Sequence, residues 1–201
     1  MYKKGRYLKM KSKRKELKIV MSNIERDNFL QTKLEKIHNS RIITSLYFDT
    51  EDFYLYKQSK NTDVDKFKIR FRKYSNSKTI FKEFKFNQFD SKYKEVQETE
   101  FNSLEEIKYL FYKSYKLIPS IYVSYERDYY LYKDTRITVD KNLFFKTHEL
   151  RSLQTNEYSA ENLNIVEYKL FNEILDIEKY IKPNTEKFSK YEYGIKKIYR
   201  I

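Results

Sequence analysis

Lys68, Arg70 and Arg72 occupy alternate positions of the segment Phe67-Lys68-Ile69-Arg70-Phe71-Arg72, with Phe67, Ile69 and Phe71 between them. In an extended strand successive side chains point to opposite faces. This segment therefore predicts one face of cations and one of bulky apolar groups. Like charges side by side repel, so such a row needs something anionic against it. The pattern recurs along the chain. Arg14, Glu16 and Lys18 share a face opposite Leu17 and Ile19; Glu83 and Lys85 share a face; Arg127 lies on the face of Ile121, Val123 and Tyr125; Arg136 and Asp140 flank Thr138; Glu167 and Lys169 point together. A solvated sheet with cross-strand ion pairs would accommodate these faces. So would a sheet curled into a barrel, with the apolar faces buried under helices outside and the charged faces lining the interior. That interior would be a basic tunnel with a few carboxylates. Its ligand chemistry would be a chain of phosphates with a divalent metal, cations for the phosphate oxygens and Glu for the metal.

The elements that must position these residues follow from periodicity. Two-residue alternation predicts strands over 12–20, 42–49, 52–58, 66–74, 79–87, 120–127, 135–140 and 164–169. Ser22-Asn23-Ile24-Glu25 is a capping-box pattern before a predicted helix over 25–38, with Leu30, Leu34 and Ile37 on one face. Ser103-Leu104-Glu105-Glu106 repeats the pattern before a predicted helix over 104–115, and a shorter helix is expected near 172–181 with Ile174, Leu175, Ile177 and Ile181. Many strands with few helices give an α+β class built on an antiparallel sheet or barrel. The chain shows no internal repeat, linker or composition shift, so 1–11 reads as a flexible basic leader and 12–201 as one domain.

Composition narrows the function classes. The chain has 201 residues and a net charge of +13, with Lys outnumbering Arg 32 to 10. Charge of this sign suits a polyanion: nucleic acid, anionic lipid or a phosphate-rich small molecule. The same Lys-rich mixture also arises from coding bias, so the positions of the charges carry more than their sum. Hydrophobic residues at 40% and aromatics at 18% exclude a disordered basic tail. The absence of Cys excludes disulfides, thiolate zinc sites and a Cys nucleophile. Two Gly in the whole chain leave no Gly-rich nucleotide loop. Nothing in the sequence has the length of a signal peptide's apolar run or of a membrane span, which points to a cytoplasmic protein. His38 and His148 read as surface residues, and Asp49 as organising a turn with Thr50.

Eight pieces in order, RKELKI at 14–19, SLYFDT at 45–50, FKIRFRKY at 67–74, FKEFK at 81–85, VSYERDYY at 123–130, RITVD at 136–140, VEYK at 166–169 and FSKY at 188–191, resemble the polyphosphate polymerase domain of vacuolar transporter chaperone proteins. That VTC domain belongs to the triphosphate tunnel metalloenzymes. The resemblance implies a tunnel-shaped antiparallel barrel with helices outside. It assigns the phosphate-contacting, catalytic cations to Lys18, Arg70, Arg72, Lys85, Arg127, Arg136 and Lys190, with Lys68, Asn87, Lys94 and Lys169 as further substrate contacts. Lys94 is preferred over Lys92 as the basic residue after FKEFK. The metal carboxylate falls on Glu167, with Glu16 and Glu83 as accessory candidates. One departure stands out: family polymerases often carry Lys-x-His where this chain has Lys85-Phe86-Asn87, and Asn accepts or donates a hydrogen bond but does not titrate near neutral pH, so it cannot carry a proton to or from substrate.

The implied activity is a metal-dependent transferase moving the terminal phosphate of ATP onto a growing polyphosphate chain, with Mn²⁺ or Mg²⁺ as cofactor. An inorganic triphosphatase, a non-catalytic polyphosphate binder and a nucleic-acid module remain the alternatives. The last fits least, because the aromatic positions fall on faces opposite the cations and do not form a stacking surface. Family analogy also implies a membrane-protein partner.

Overall fold

Strand-forming alternation accounts for most of the chain. The computed structural model describes residues 15–61, 65–88, 91–133, 135–152, 154–170 and 188–201. Its strands are β1 (Lys15–Met21), β2 (Glu35–Asp49), β3 (Lys66–Tyr74), β4 (Ile80–Gln88), β5 (Ser91–Glu98), β6 (Leu110–Tyr112), β7 (Tyr115–Tyr132), β8 (Thr135–Thr147), β9 (Glu157–Ala160) and β10 (Asn164–Leu170). The helices are α1 (Asn23–Leu30), α2 (Tyr54–Lys60) and α3 (Lys190–Tyr199). All strand pairs are antiparallel, in the order β1-β10-β8-β7-β2-β3-β4-β5, with β6 on β7 and β9 on β8. The sheet is curled into a tunnel-like trough. Among the described residues no backbone ladder joins its two ends.

Directly paired residues share a face, so the register sorts the sheet into a convex and a concave side. The convex side buries two apolar clusters. Leu46, Phe48, Ile69, Phe71, Ile80 and Leu117 pack with Leu55 of α2 and with Leu104 and Ile107. Ile19, Met21, Ile137, Val139, Val166 and Tyr168 pack beneath Phe29 of α1. The apolar partners of the cationic row on β3 thus turn outward.

The concave side is divided between a greasy half and a charged half. Ile43, Ile121, Val123, Leu143, Phe145 and Ile165 receive Tyr191, Ile195 and Ile198 of α3. So α1 covers the outside while α3 lies inside the trough. The reason is legible in α3 itself: its buried residues, Tyr191, Gly194, Ile195 and Ile198, form one stripe at helical spacing. Gly194 permits the approach, since a Cβ there would meet Phe145 Cδ1 at 2.5 Å.

Three elements differ from the sequence reading. The capping box at Ser22 and Glu25 is present, but α1 ends at Leu30 and the chain enters β2 at Glu35, so His38 stands in a strand opposite Tyr129 and not at a helix end. Pairing of β2 with β7 over most of its 15 residues outweighs the local helical spacing of Leu30, Leu34 and Ile37. Residues 104–115 give only a short 3-10 turn, Leu104–Glu106, and then β6, which hairpins onto β7. The segment expected as a strand over 52–58 contains α2, whose Leu55 and Tyr56 N–H groups donate to the Asp49 carboxylate at 2.8 and 2.9 Å. His148 is buried: its ring stacks on Tyr122 at 5.5 Å, and its Nδ1 accepts from the Leu150 N–H. The leader over 1–11, Arg14 and the helix expected near 172–181 lie outside the described residues.

Candidate functional site

The charged half of the concave face is built from neighbouring strands in register. Lys18 of β1 stands opposite Glu167 of β10, which stands opposite Thr138 of β8. One step along, Glu16, Lys169 and Arg136 form the next row. On the other flank Lys68 of β3, Lys85 of β4 and Lys94 of β5 form a row, followed by Arg70 and Glu83. Asn87, opposite Lys66, is exposed beyond that row. Lys190 enters from the first turn of α3, whose N-cap Ser189 side chain accepts from the Glu192 N–H. The chosen cations and carboxylates therefore converge on one surface. Lys92's side chain is outside the described residues.

Ion pairs set the charge state of each group. Arg70 donates from Nε and Nη2 to Glu83 Oε2 at 2.8 and 2.5 Å and from Nη1 to the Tyr47 hydroxyl at 2.7 Å. Arg72 donates to Ser45 Oγ at 3.2 Å and to the Tyr125 hydroxyl at 3.1 Å, and its Nη1 lies 3.6 Å from Glu83 Oε1. Lys94 Nζ reaches the same Oε1 at 3.2 Å. Burial would raise the Glu83 carboxyl, but Arg70, Arg72 and Lys94 together hold it far below its ordinary range. Arg127 grips Asp140 in a fork, Nε to Oδ1 at 2.5 Å and Nη2 to Oδ2 at 2.8 Å, and Lys190 joins from α3. Asp140 is fully buried and stays ionised because Lys190 and Arg127 overcome its desolvation. Lys68 Nζ is tied to α3 through Ser189 Oγ at 2.8 Å and Glu192 Oε1 at 2.5 Å.

Around Glu167 the balance differs. Burial opposes its charge, but Lys18, Arg127, Lys169 and Lys190 bring the carboxyl down to about 2. Lys169 Nζ lies 3.6 Å from Glu167 Oε1 and 4.0 Å from Glu16 Oε1, so both carboxylates stand within reach of one ammonium. Burial lowers Lys18 to about 8; Glu167 opposes this, while Lys85 and Lys190 add to it. Partial desolvation likewise lowers Lys85 and Lys94, against the pull of their carboxylate neighbours. Arg136 is exposed, at the end of the Lys169 row. Thr138 Oγ1, opposite Glu167, is buried and has no hydrogen-bond partner among the described residues.

Across this face cations outnumber carboxylates, and several ammonium groups are pushed toward neutrality. A surface of that kind is incomplete without an anion. It can grip phosphate oxygens bidentately through arginines and by point charge through lysines. The donor set also admits a divalent ion. Among the described residues no cluster of three or more His, Cys, Asp or Glu exists to cage a metal. A magnesium-like ion, however, commonly takes one or two carboxylates and completes its shell with substrate phosphates and water. Glu167 and Glu16 supply that number, beside the leftover Thr138 oxygen. Glu83 is surrounded by Arg70, Arg72 and Lys94 and serves as their counterion.

Sequence reasoning left out several residues that this face uses. The sequence places Asp140 only beside Thr138, yet it is the shared partner of Arg127 and Lys190. Tyr47 and Tyr125 supply hydroxyls to Arg70 and Arg72. Their signal was available: Ser45, Tyr47 and Asp49 alternate along β2, and Tyr125 precedes Arg127 by two positions on β7. Asp49 itself is structural. It is fully buried and accepts from Thr50, Leu55, Tyr56 and the Tyr191 hydroxyl.

Comparison with known proteins places this geometry. The family model described as VTC domain matches residues 3–106 and 87–199. No curated protein matches the chain. Among solved structures, a "putative adenylate cyclase" from Bacillus halodurans superposes with a TM-score of 0.59 at 14% identity, covering 89% of this chain and 94% of that one. The PH1819 protein from Pyrococcus horikoshii OT3 gives 0.53 at 15% identity, covering 91% and 99%. A conserved hypothetical protein from Pyrococcus furiosus gives 0.51 at 12% identity, covering 90% and 100%. At these identities the likeness is one of fold.

Proposed function

The chain belongs to the VTC domain family of triphosphate tunnel proteins, and from that premise we propose that it is a metal-dependent polyphosphate polymerase using ATP as donor. One observation carries the reading: arginines and lysines from β1, β3, β4, β5, β7, β8, β10 and α3 meet on one concave face around Glu167 and Glu83.

Phosphoryl transfer depends on positioning and charge neutralisation more than on covalent help from the protein. The donor triphosphate lies along the trough, its oxygens held by Arg70, Arg72, Arg127 and Lys85. Lys18, Lys94, Lys169 and Arg136 hold the acceptor chain or the departing product. A terminal oxygen of the acceptor attacks the γ-phosphorus, the bond from that phosphorus to the β–γ bridging oxygen breaks, and ADP leaves with that oxygen. The attacking oxygen is already anionic near neutral pH, so no residue has to remove a proton. Glu167 and Glu16 would hold a divalent ion, which would supply further neutralisation of the phosphate oxygens. Each cation fixed by a carboxylate before substrate arrives needs little reorganisation when charge moves.

The test is incubation with ATP and Mn²⁺ or Mg²⁺, followed by a gel stained for long anionic polymers. A ladder is the expected result. Free phosphate without a ladder makes the protein a triphosphatase, and neither product with tight tripolyphosphate binding makes it a binder. Displacement of bound ATP by single-stranded RNA as readily as by polyphosphate of equal charge overturns the proposal in favour of a nucleic-acid module. Among the described residues no helix is long and apolar enough to cross a membrane.

A further inference from the structure

The Tyr47 phenol is 6% exposed at the floor of the charged trough, where β2 meets β3 and α3. Its ring stacks on Tyr191 with centroids 5.0 Å apart and planes 21° apart, which packs it in place. Its oxygen accepts from Arg70 Nη1 at 2.7 Å, while Glu83 accepts from the other edge of the same guanidinium at 2.5 and 2.8 Å. The guanidinium is thus held from both sides by groups that do not belong to substrate. We propose that Tyr47 is a positioning residue whose phenol oxygen holds the inner edge of Arg70 and whose proton is retained or released according to whether an anion fills the trough. This rests on the trough binding a polyphosphate or triphosphate.

The charges around the phenol give the second half of that statement its sign. Facing Tyr47 are Arg70 and Arg72 from β3, Lys190 and Tyr191 from α3, and Tyr125 from β7, while Asp49 on its own strand is engaged by Tyr191. Burial alone would raise the phenol, yet Arg70, Arg72 and Lys190 bring it down to about 8. A triphosphate laid over those cations cancels the field that favours the phenolate. The phenol of the complex therefore titrates higher than that of the empty protein. Binding takes up a proton between about pH 8 and the higher pKa of the complex, and affinity falls as pH rises through that window. Lys18 contributes a decline of the same sign, so the variant comparison has to isolate the share that belongs to Tyr47.

The first measurement needs no ligand. Near-ultraviolet titration of tyrosinate absorbance is expected to show one of the 21 tyrosines ionising near pH 8. That step disappears in Tyr47→Phe, which keeps the ring stack, and moves upward in Arg70→Gln, which removes the nearest cation. The second measurement is calorimetric binding of inorganic tripolyphosphate at pH 7 and pH 9. Tyr47→Phe is expected to bind about tenfold more weakly at pH 7, as for loss of one hydrogen bond to a charged group, and to lose less affinity than the parent on going to pH 9. Absence of the low phenol step overturns the proposal, as does equal affinity with an equal pH slope in the variant. If the step is present but tripolyphosphate does not bind the parent protein, the Arg70–Tyr47 coupling stands and the polyphosphate reading is the part that fails.

Discussion

Lys85 of β4 and Glu16 of β1 lie 3.8 Å apart, Nζ to Oε2, although β10, β8, β7, β2 and β3 separate their strands in the sheet. Only strong curling brings those faces together. The contact is a side-chain bridge over the trough where no backbone ladder is described. Both groups are about a third or more exposed, so the pair adds little stability, on the order of 0.5 kcal/mol. Its importance is to ligand. Lys85→Ala is expected to leave thermal unfolding nearly unchanged while weakening tripolyphosphate binding about tenfold, the scale of one lost charge-assisted contact. Calorimetry beside a melting curve checks both. A large fall in melting temperature would mean that the bridge holds the curl.

The Arg127 fork and the exposed place of Arg136 predict different penalties for the two arginines. Arg127 is bound to fully buried Asp140, so Arg127→Ala leaves a buried carboxylate with Lys190 as its remaining partner. Breaking such a pair costs about 3 kcal/mol. Arg136 is exposed at the end of its row, and Arg136→Ala should shift stability by no more than about 0.5 kcal/mol. Polymer synthesis is expected to be lost in the first and reduced in the second. Urea denaturation with activity measured on the same samples separates the two losses. Equal stability of both variants would place Asp140 elsewhere than in the interior.

Lys18 gives a pH signature. Its pKa falls from about 10.5 unfolded to about 8 in the folded protein, chiefly through burial. Between those values the unfolded chain holds more protons than the folded one, so stability of the empty protein rises with pH across pH 8 to 10.5. Lys18→Met removes the share of that rise that belongs to Lys18, leaves the share of the same sign from Tyr47, Lys85 and Lys94, and stabilises the empty protein near neutrality. The same change weakens tripolyphosphate binding. Urea midpoints measured from pH 7 to 10 test the slope; a parent protein whose stability only falls over that window contradicts the burial of Lys18.

Glu167 should govern the response to metal. Its carboxyl, held at about 2, stays ionised at any working pH and is available to a divalent ion. Glu167→Gln is expected to abolish the enhancement of tripolyphosphate binding by Mn²⁺ while retaining metal-free binding. An unchanged Mn²⁺ response moves the metal away from β10.

Much of the sheet was legible because the β3 row alternates without interruption, and β3 runs over Lys66–Tyr74, as the alternation predicts. The apolar partners Phe67, Ile69 and Phe71 also turn to the convex side as their bulk requires. What escaped the sequence depends on long-range pairing. Leu30, Leu34 and Ile37 have helical spacing, yet residues 35–49 are claimed by β7, a partner some eighty residues away. Asp140 could be placed on the right face but not matched to Lys190, because that contact exists only once α3 enters the trough. The position of α3 inside was hidden for the same reason: an amphipathic helix shows that it has a buried side, not which surface will bury it.

That placement yields the last prediction. Gly194 faces β8 so closely that an added Cβ would come within 2.5 Å of Phe145 Cδ1 and 2.9 Å of Ile121 Cδ1. Both neighbours are fully buried, so neither ring nor methyl has open space to yield into. Gly194→Ala should improve the helix's own propensity yet still destabilise the protein, by about 1–3 kcal/mol, because overpacking outweighs the smaller helical gain. The shift has a functional consequence, since α3 carries Lys190 to Asp140 and Glu192 to Lys68. Moving the helix outward loosens both contacts, and tripolyphosphate affinity should fall together with stability. Phe145→Leu in the same chain frees space beneath residue 194 and is expected to restore part of both. If Gly194→Ala is as stable as the parent, α3 does not lie against β8. If stability falls while affinity holds, the helix's charged end does not help to form the binding surface.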